Sequence, residues 1–177
     1  MIRKLLKMSA IGSILASSFL LVLAQENFCR RLDAEAAKRF LPDRVPLETE
    51  VIPVDAKVVA ALQFPNKARL VIAALATGSF SREVREKYQY ILISETRIKL
   101  DRWTIPSGIV GLALEPQSDD AAPTRSLISR DFSGSEIDRL AMRLDAGSAS
   151  VPLSLTPKSA NEFELRIGKY VIAGAQK

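Results

Sequence analysis

The stretch from Tyr88 to Pro116, YQYILISETRIKLDRWTIPSGIVGLALEP, constrains the fold more than any other part of the chain. It reads as β-strands folded back on themselves by short breaks. Tyr88 to Glu95 is apolar on both faces in its middle and polar at its ends. β-Branched and aromatic types in so short a run favour a strand, and two apolar faces predict a sheet covered on both sides. Thr96, Ile98 and Leu100 then alternate with Arg97, Lys99 and Asp101, the pattern of a half-buried strand with one wet face. Asp101-Arg102 turns the chain into Trp103-Thr104-Ile105. Pro106-Ser107-Gly108 breaks it again, because proline fixes its own φ and glycine accepts a positive one. Beyond this break Val110, Leu112 and Leu114 point one way and Gly111 and Ala113 the other, where the lack of bulk admits close packing.

Ile105-Pro106-Ser107-Gly108-Ile109 resembles the Leu/Ile-Pro-x-Gly turn of secreted bacterial β-sandwich domains. Lys87 to Glu95 followed by that turn resembles uncharacterised secreted proteins of the acidobacterial type. Ile109 stands where those proteins usually carry an aromatic residue. The resemblance implies a β-sandwich-like fold and secretion, and it implies no activity.

Met1 to Ala24 has the layout of a signal peptide. Arg3, Lys4 and Lys7 form a basic start, Ile11 to Leu23 is largely apolar, and Val22-Leu23-Ala24 fits a cleavage site before Gln25. The alternative is an uncleaved anchor helix, which needs about 20 mainly apolar residues. Four serines and a glycine dilute this run, and cleavage is the expectation. Cys29 lies too far from the cut to carry a lipid.

Cleavage changes the charge balance. The whole chain has 25 basic and 20 acidic residues, a net charge of +5. Past residue 24 there remain 22 basic against 20 acidic, a net +2. Nothing then recommends a nucleic-acid or polybasic membrane surface. The remaining 153 residues suit one domain with a proper core. A lone cysteine forms no internal disulfide. Cys29 is expected to be a small, partly buried apolar residue, or else a free or interchain thiol activated by Arg30 and Arg31.

Asn27 to Leu41 is expected to be a helix, with Phe28, Leu32, Ala36 and Phe40 at every fourth position and Pro42 as its stop. Leu47 to Val54 reads as an edge strand between prolines, and Val58 to Phe64 as another short strand. Ala68 to Thr77 is expected to be a buried strand, Ser79 to Lys87 a charged connection, and Gln117 to Thr124 a polar loop. Ser126 to Arg130 is a short strand. Ser133-x-x-Glu136 and Ser135-x-x-Asp138 are capping-box patterns, and the stripe of Ile137, Leu140, Ala141 and Leu144 predicts a helix closed by Gly147. At the C-terminal end Gly168-Lys169 suits a type II′ hairpin turn. That register sets Ile167 opposite Tyr170, Leu165 opposite Ile172 and Phe163 opposite Gly174 on one face. The fold class expected is mainly β with two helices (α+β), an antiparallel β-sandwich-like domain. A signal peptide (1–24) and an N-terminal helix with linker (25–46) would precede the β-rich part (47–177).

The chain has no histidine, which excludes Ser-His-Asp and Cys-His sites and imidazole-based metal centres. No phosphate loop or calcium loop pattern occurs, and no cofactor is expected. The function expected is a secreted or periplasmic, non-catalytic binding module for an envelope protein, peptide or glycan. Trp103 and Tyr88 are its candidate ligand-binding residues, because an exposed aromatic gives apolar area with a polar tip. The alternatives are a glycosidase-like hydrolase using two of Glu95, Asp101 and Glu115, or a structural envelope protein.

Overall fold

The computed structural model describes residues 28–115, 124–147 and 151–177, so the segment expected to be a signal peptide and most of the loop expected at 117–124 lie outside it. The chain is mainly β, with two short helices. Thirteen strands form one antiparallel sheet: β1 (Arg30–Leu32), β2 (Arg44–Leu47), β3 (Glu50–Gln63), β4 (Arg69–Leu75), β5 (Tyr90–Ser94), β6 (Ile98–Leu100), β7 (Trp103–Ile105), β8 (Gly108–Leu114), β9 (Thr124–Arg130), β10 (Glu136–Leu144), β11 (Val151–Pro157), β12 (Glu162–Gly168) and β13 (Tyr170–Gln176). Along its main path the order is β1-β3-β4-β5-β8-β9-β10-β13-β12-β11. β2 pairs with β3, and the β6–β7 hairpin joins through β13. The sheet curls until β11 packs against β3 and touches β1, close to a barrel. It is therefore one curled sheet where the sequence suggested a two-sheet sandwich. Strand order and curvature set that difference, and local patterning carries neither.

Alternation assigns the two faces. Inward-facing Leu70, Ile72, Leu92, Leu112, Leu127, Met142, Leu165 and Ile172 fill the interior together with Trp103 and Phe163. On the outside, β2 and the first half of β3 fold back over β4 and β5. Val45, Leu47 and Ile52 there bury Ala73, Leu75, Tyr88 and Ile91. Helix α1 (Ala34–Lys38) covers Ala61 and Val71 with Ala37. Helix α2 (Arg82–Lys87) forms where a plain charged connection was expected; Ser81 caps it by accepting from the Val84 amide. Strands under this outer layer are apolar on both faces, as the Tyr88 to Glu95 pattern requires, whereas β10 and β12 alternate because their outer face is wet. Close packing does use the small residue at 111, since a Cβ there would sit 2.9 Å from the Tyr88 ring.

Two expected helices are corrected. Residues 30–32 pair with Ala61–Gln63 as β1, and the helix is only α1, capped by Asp33 through the Ala36 amide at 2.7 Å. The buried edge of β3 needs partners for its amides, and that outweighs the fourfold apolar repeat. Residues 136–144 are strand β10, paired along β9. The serines serve a turn: Asp131 accepts from the amides of Ser133 and Ser135, and Gly134 takes a φ of +87°. Short polar side chains bond a turn as readily as a helix start. Leu47 to Val54 and Val58 to Phe64 are also not separate elements. The first spans the β2–β3 turn, and the second continues β3 after a bulge between Asp55 and Val59. The C-terminal hairpin has the expected register, with Gly168 at φ +61° and Lys169 outside the positive-φ region.

Candidate functional site

The exposed aromatic face expected of Trp103 and Tyr88 is not there. Trp103 is 7% exposed and packs in the interior, because its strand alternates inward with Ile105. Tyr88 is 1% exposed under the outer layer, and its hydroxyl donates to Glu48 Oε1 at 3.0 Å. Glu48 sits in the β2–β3 turn at φ +55°, accepts from Lys87 as well, and through its amide bonds the Phe132 carbonyl at 2.6 Å. Tyr88 thus helps tie the β2–β3 turn to the β9–β10 turn.

Nor do the three carboxylates converge. Ser94 pairs with Gly108, and Glu115 lies seven residues further along β8. Glu95 lies one residue beyond that pair, so at ~3.3 Å per residue it is about 26 Å from Glu115. Hydrolysis by two carboxylates needs roughly 5–9.5 Å. Arg69 grips Glu95 through side-chain hydrogen bonds and holds its carboxyl below the ordinary range. Arg139 and then Ser126 do the same for Glu115. A general acid needs the opposite shift. Asp101 occupies the β6–β7 turn at φ +49° and donates its amide to the Ala173 carbonyl, beside a shallow outer groove of about 320 Å³.

A different site gathers at one open end of the curled sheet. There the starts of β5, β9, β11 and β13 and the end of β8 surround a depression of about 420 Å³. Tyr90, Leu114, Arg125, Pro152, Ile167 and Tyr170 line it. That volume lies in the range of small-molecule sites, and the mouths of β-barrels are among their usual places. Each wall has a local cause. Tyr90 and Leu114 are the last inward-facing positions of their strands, and Gln89 fixes the β8 end by bonding the Leu114 amide and carbonyl with its side chain. The β12–β13 turn brings Ile167 and Tyr170 together.

Arg125 is the unusual member. On β9 it shares the inward parity of Leu127 and Ser129, so a cation occupies a row whose other members are uncharged. Its guanidinium lies 5.8 Å from the centre of the Tyr170 ring, and its Nε donates to the Glu115 carbonyl at 2.7 Å. Burial raises the Tyr90 hydroxyl, and the charge of Arg125 opposes that shift. The sequence signal was present: Arg125 and Leu127 share one parity of a strand, but the strand expected there began only at Ser126.

Compared with protein-family models, curated proteins and solved structures, the chain matches none of them.

Proposed function

We propose that the protein is a secreted or periplasmic binding module that takes the apolar body of a small ligand into the mouth of its curled sheet, without catalysing a reaction on it. The observation that carries this reading is the mouth itself. The inward row there gives way from packed leucines to two tyrosines, a proline and an arginine around open volume. Aromatic rings with polar tips hold a ligand at low conformational cost, which a filled interior does not need. The basic and apolar start of the chain supports export. The likeness of Ile105 to Ile109 to secreted bacterial proteins points the same way. A hydrolase built on Glu95, Asp101 and Glu115 has less support, because the two paired glutamates lie at opposite ends of β8.

The test is amide chemical-shift mapping of the ¹⁵N-labelled protein against a set of ring-containing fragments. Shifts confined to Gln89, Tyr90, Leu114, Arg125 and the 167–170 turn support the reading. Shifts gathered instead around Lys99, Asp101 and Ala173 would move the site to the outer groove and overturn it.

A further inference from the structure

The mouth is electrically one-sided. Among the described residues, Arg125 and Lys169 line it and no carboxylate does. The outer groove along β13 has lysines 99 and 158 balanced by Asp101 and Glu162. The asymmetry at the mouth arises from how its neighbours are paired. Glu115, whose carbonyl accepts from Arg125, gives its carboxylate to Arg139 at 2.6 Å. Asp145, whose amide bonds the Lys169 carbonyl, gives its carboxylate to Arg166 at 2.6 Å. Among the described residues Arg125 therefore has no ion-pair partner, although it faces inward and is half-buried. A half-buried guanidinium at an open mouth, with its Nε already bonded, has its remaining N–H groups to offer an entering anion. The Nε bond to the Glu115 carbonyl and the Tyr170 ring fix the plane of the group, so its terminal nitrogens form a preset fork.

From this we infer that the ligand of the mouth is an organic oxyanion, a carboxylate or sulfonate carried on an apolar, ring-sized body. The charged group sits on Arg125 with Lys169 beside it, and the ring lies among Tyr90, Leu114 and Ile167. This inference rests on the mouth being the ligand site, and it adds the charge and shape of what enters.

Two dyes of nearly the same ring system separate the two claims: anilinonaphthalene sulfonate, and neutral phenylnaphthylamine, which lacks the sulfonate. Fluorescence titration should show saturable binding of the sulfonate, with the neutral dye at least tenfold weaker. Arg125→Gln should weaken the sulfonate tenfold or more and leave the neutral dye within twofold. Lys99→Gln removes the same charge from the outer groove and should change neither. Rising salt should weaken the sulfonate and not the neutral dye in the wild-type protein, which tests the inference even if Arg125→Gln folds poorly. Equal affinity for the two dyes would overturn the anion inference while leaving the mouth as the site. Equal losses in Arg125→Gln and Lys99→Gln would reduce it to overall charge and overturn it. No binding of either dye would remove both readings.

Discussion

Replacing Gly174 by alanine tests how tightly the interior closes around the C-terminal strand. Gly174 sits opposite Phe163 on β12 and opposite Leu100 on β6. An added Cβ would lie 2.3 Å from Phe163 Cζ, 2.5 Å from Cε2 and 2.9 Å from Leu100 Cδ2. The Phe163 ring has little room to yield, being 1% exposed and packed edge-on against Phe64 with centroids 6.1 Å apart. Gly174 is not at positive φ, so its backbone suits alanine, and the change alone should stabilise by about 0.4–1 kcal/mol through the unfolded chain. Overpacking costs about 1–3 kcal/mol. The clash wins, for a net loss of about 1–2 kcal/mol, or roughly 2–8 °C in Tm for a domain of this size. Emission of the single tryptophan, buried in the interior, reports the unfolding. Shortening the ring as well, in Phe163→Leu with Gly174→Ala, should recover part of the loss, with a coupling of about 0.5–3 kcal/mol. A Gly174→Ala protein as stable as the parent, or a strictly additive double variant, would refute the packing.

Gly168→Val should destabilise more than Lys169→Val, because only the first position of the β12–β13 turn has positive φ; equal shifts in thermal midpoint would remove the turn type. Trp103→Ala should cost about 3–5 kcal/mol in urea denaturation, as for a buried large aromatic, and a loss under 1 kcal/mol would return Trp103 to the surface. Burial pushes the Cys29 thiol up to about 11, so a disulfide reagent at pH 8 should label it only after unfolding, and rapid labelling of the folded protein would contradict its place in the core. Glu95 titrates below its ordinary value in the folded protein, so its contribution is whole above the unfolded value of about 4.3 and fades as pH falls through the folded one. Glu95→Gln should therefore lose stability at pH 7 and converge with the parent at acid pH once Glu95 is protonated in the folded protein, and urea midpoints that differ equally at neutral and acid pH would contradict this.

What the sequence made legible was local and periodic. The β12–β13 register followed from one turn type and six alternating residues. The two-sided apolar runs of β4 and β5 announced cover on both faces, although nothing local said that β2 and α1 would provide it. Where two local signals competed, tertiary pairing decided. Arg139 to Leu144 alternates as clearly as it spaces a helical stripe, and Ser133 and Ser135 fit a turn or a cap. The partner strand β9 selects the alternating solution and leaves Ile137 exposed beside a bulge. The mouth was the least legible part. It is assembled from strand ends far apart in the chain, and only their sheet order brings Tyr90, Arg125 and Tyr170 into one wall.

That sheet order also fixes when the molecule can be finished. Among the described strands, β11 and β12 are hydrogen-bonded to the remainder only through β13, which also meets β10 and β6. A chain leaving the ribosome builds from its N-terminal end, and until residues 170–176 emerge the β11–β12 pair has no ladder to join. The curl then stays open, with its apolar interior row uncovered. If the chain is exported as proposed, such a delay is useful, because a polypeptide that has not locked can still be threaded. Its cost falls on truncated products: a chain stopped at Gly168 keeps most of the strands and lacks the one that unites them.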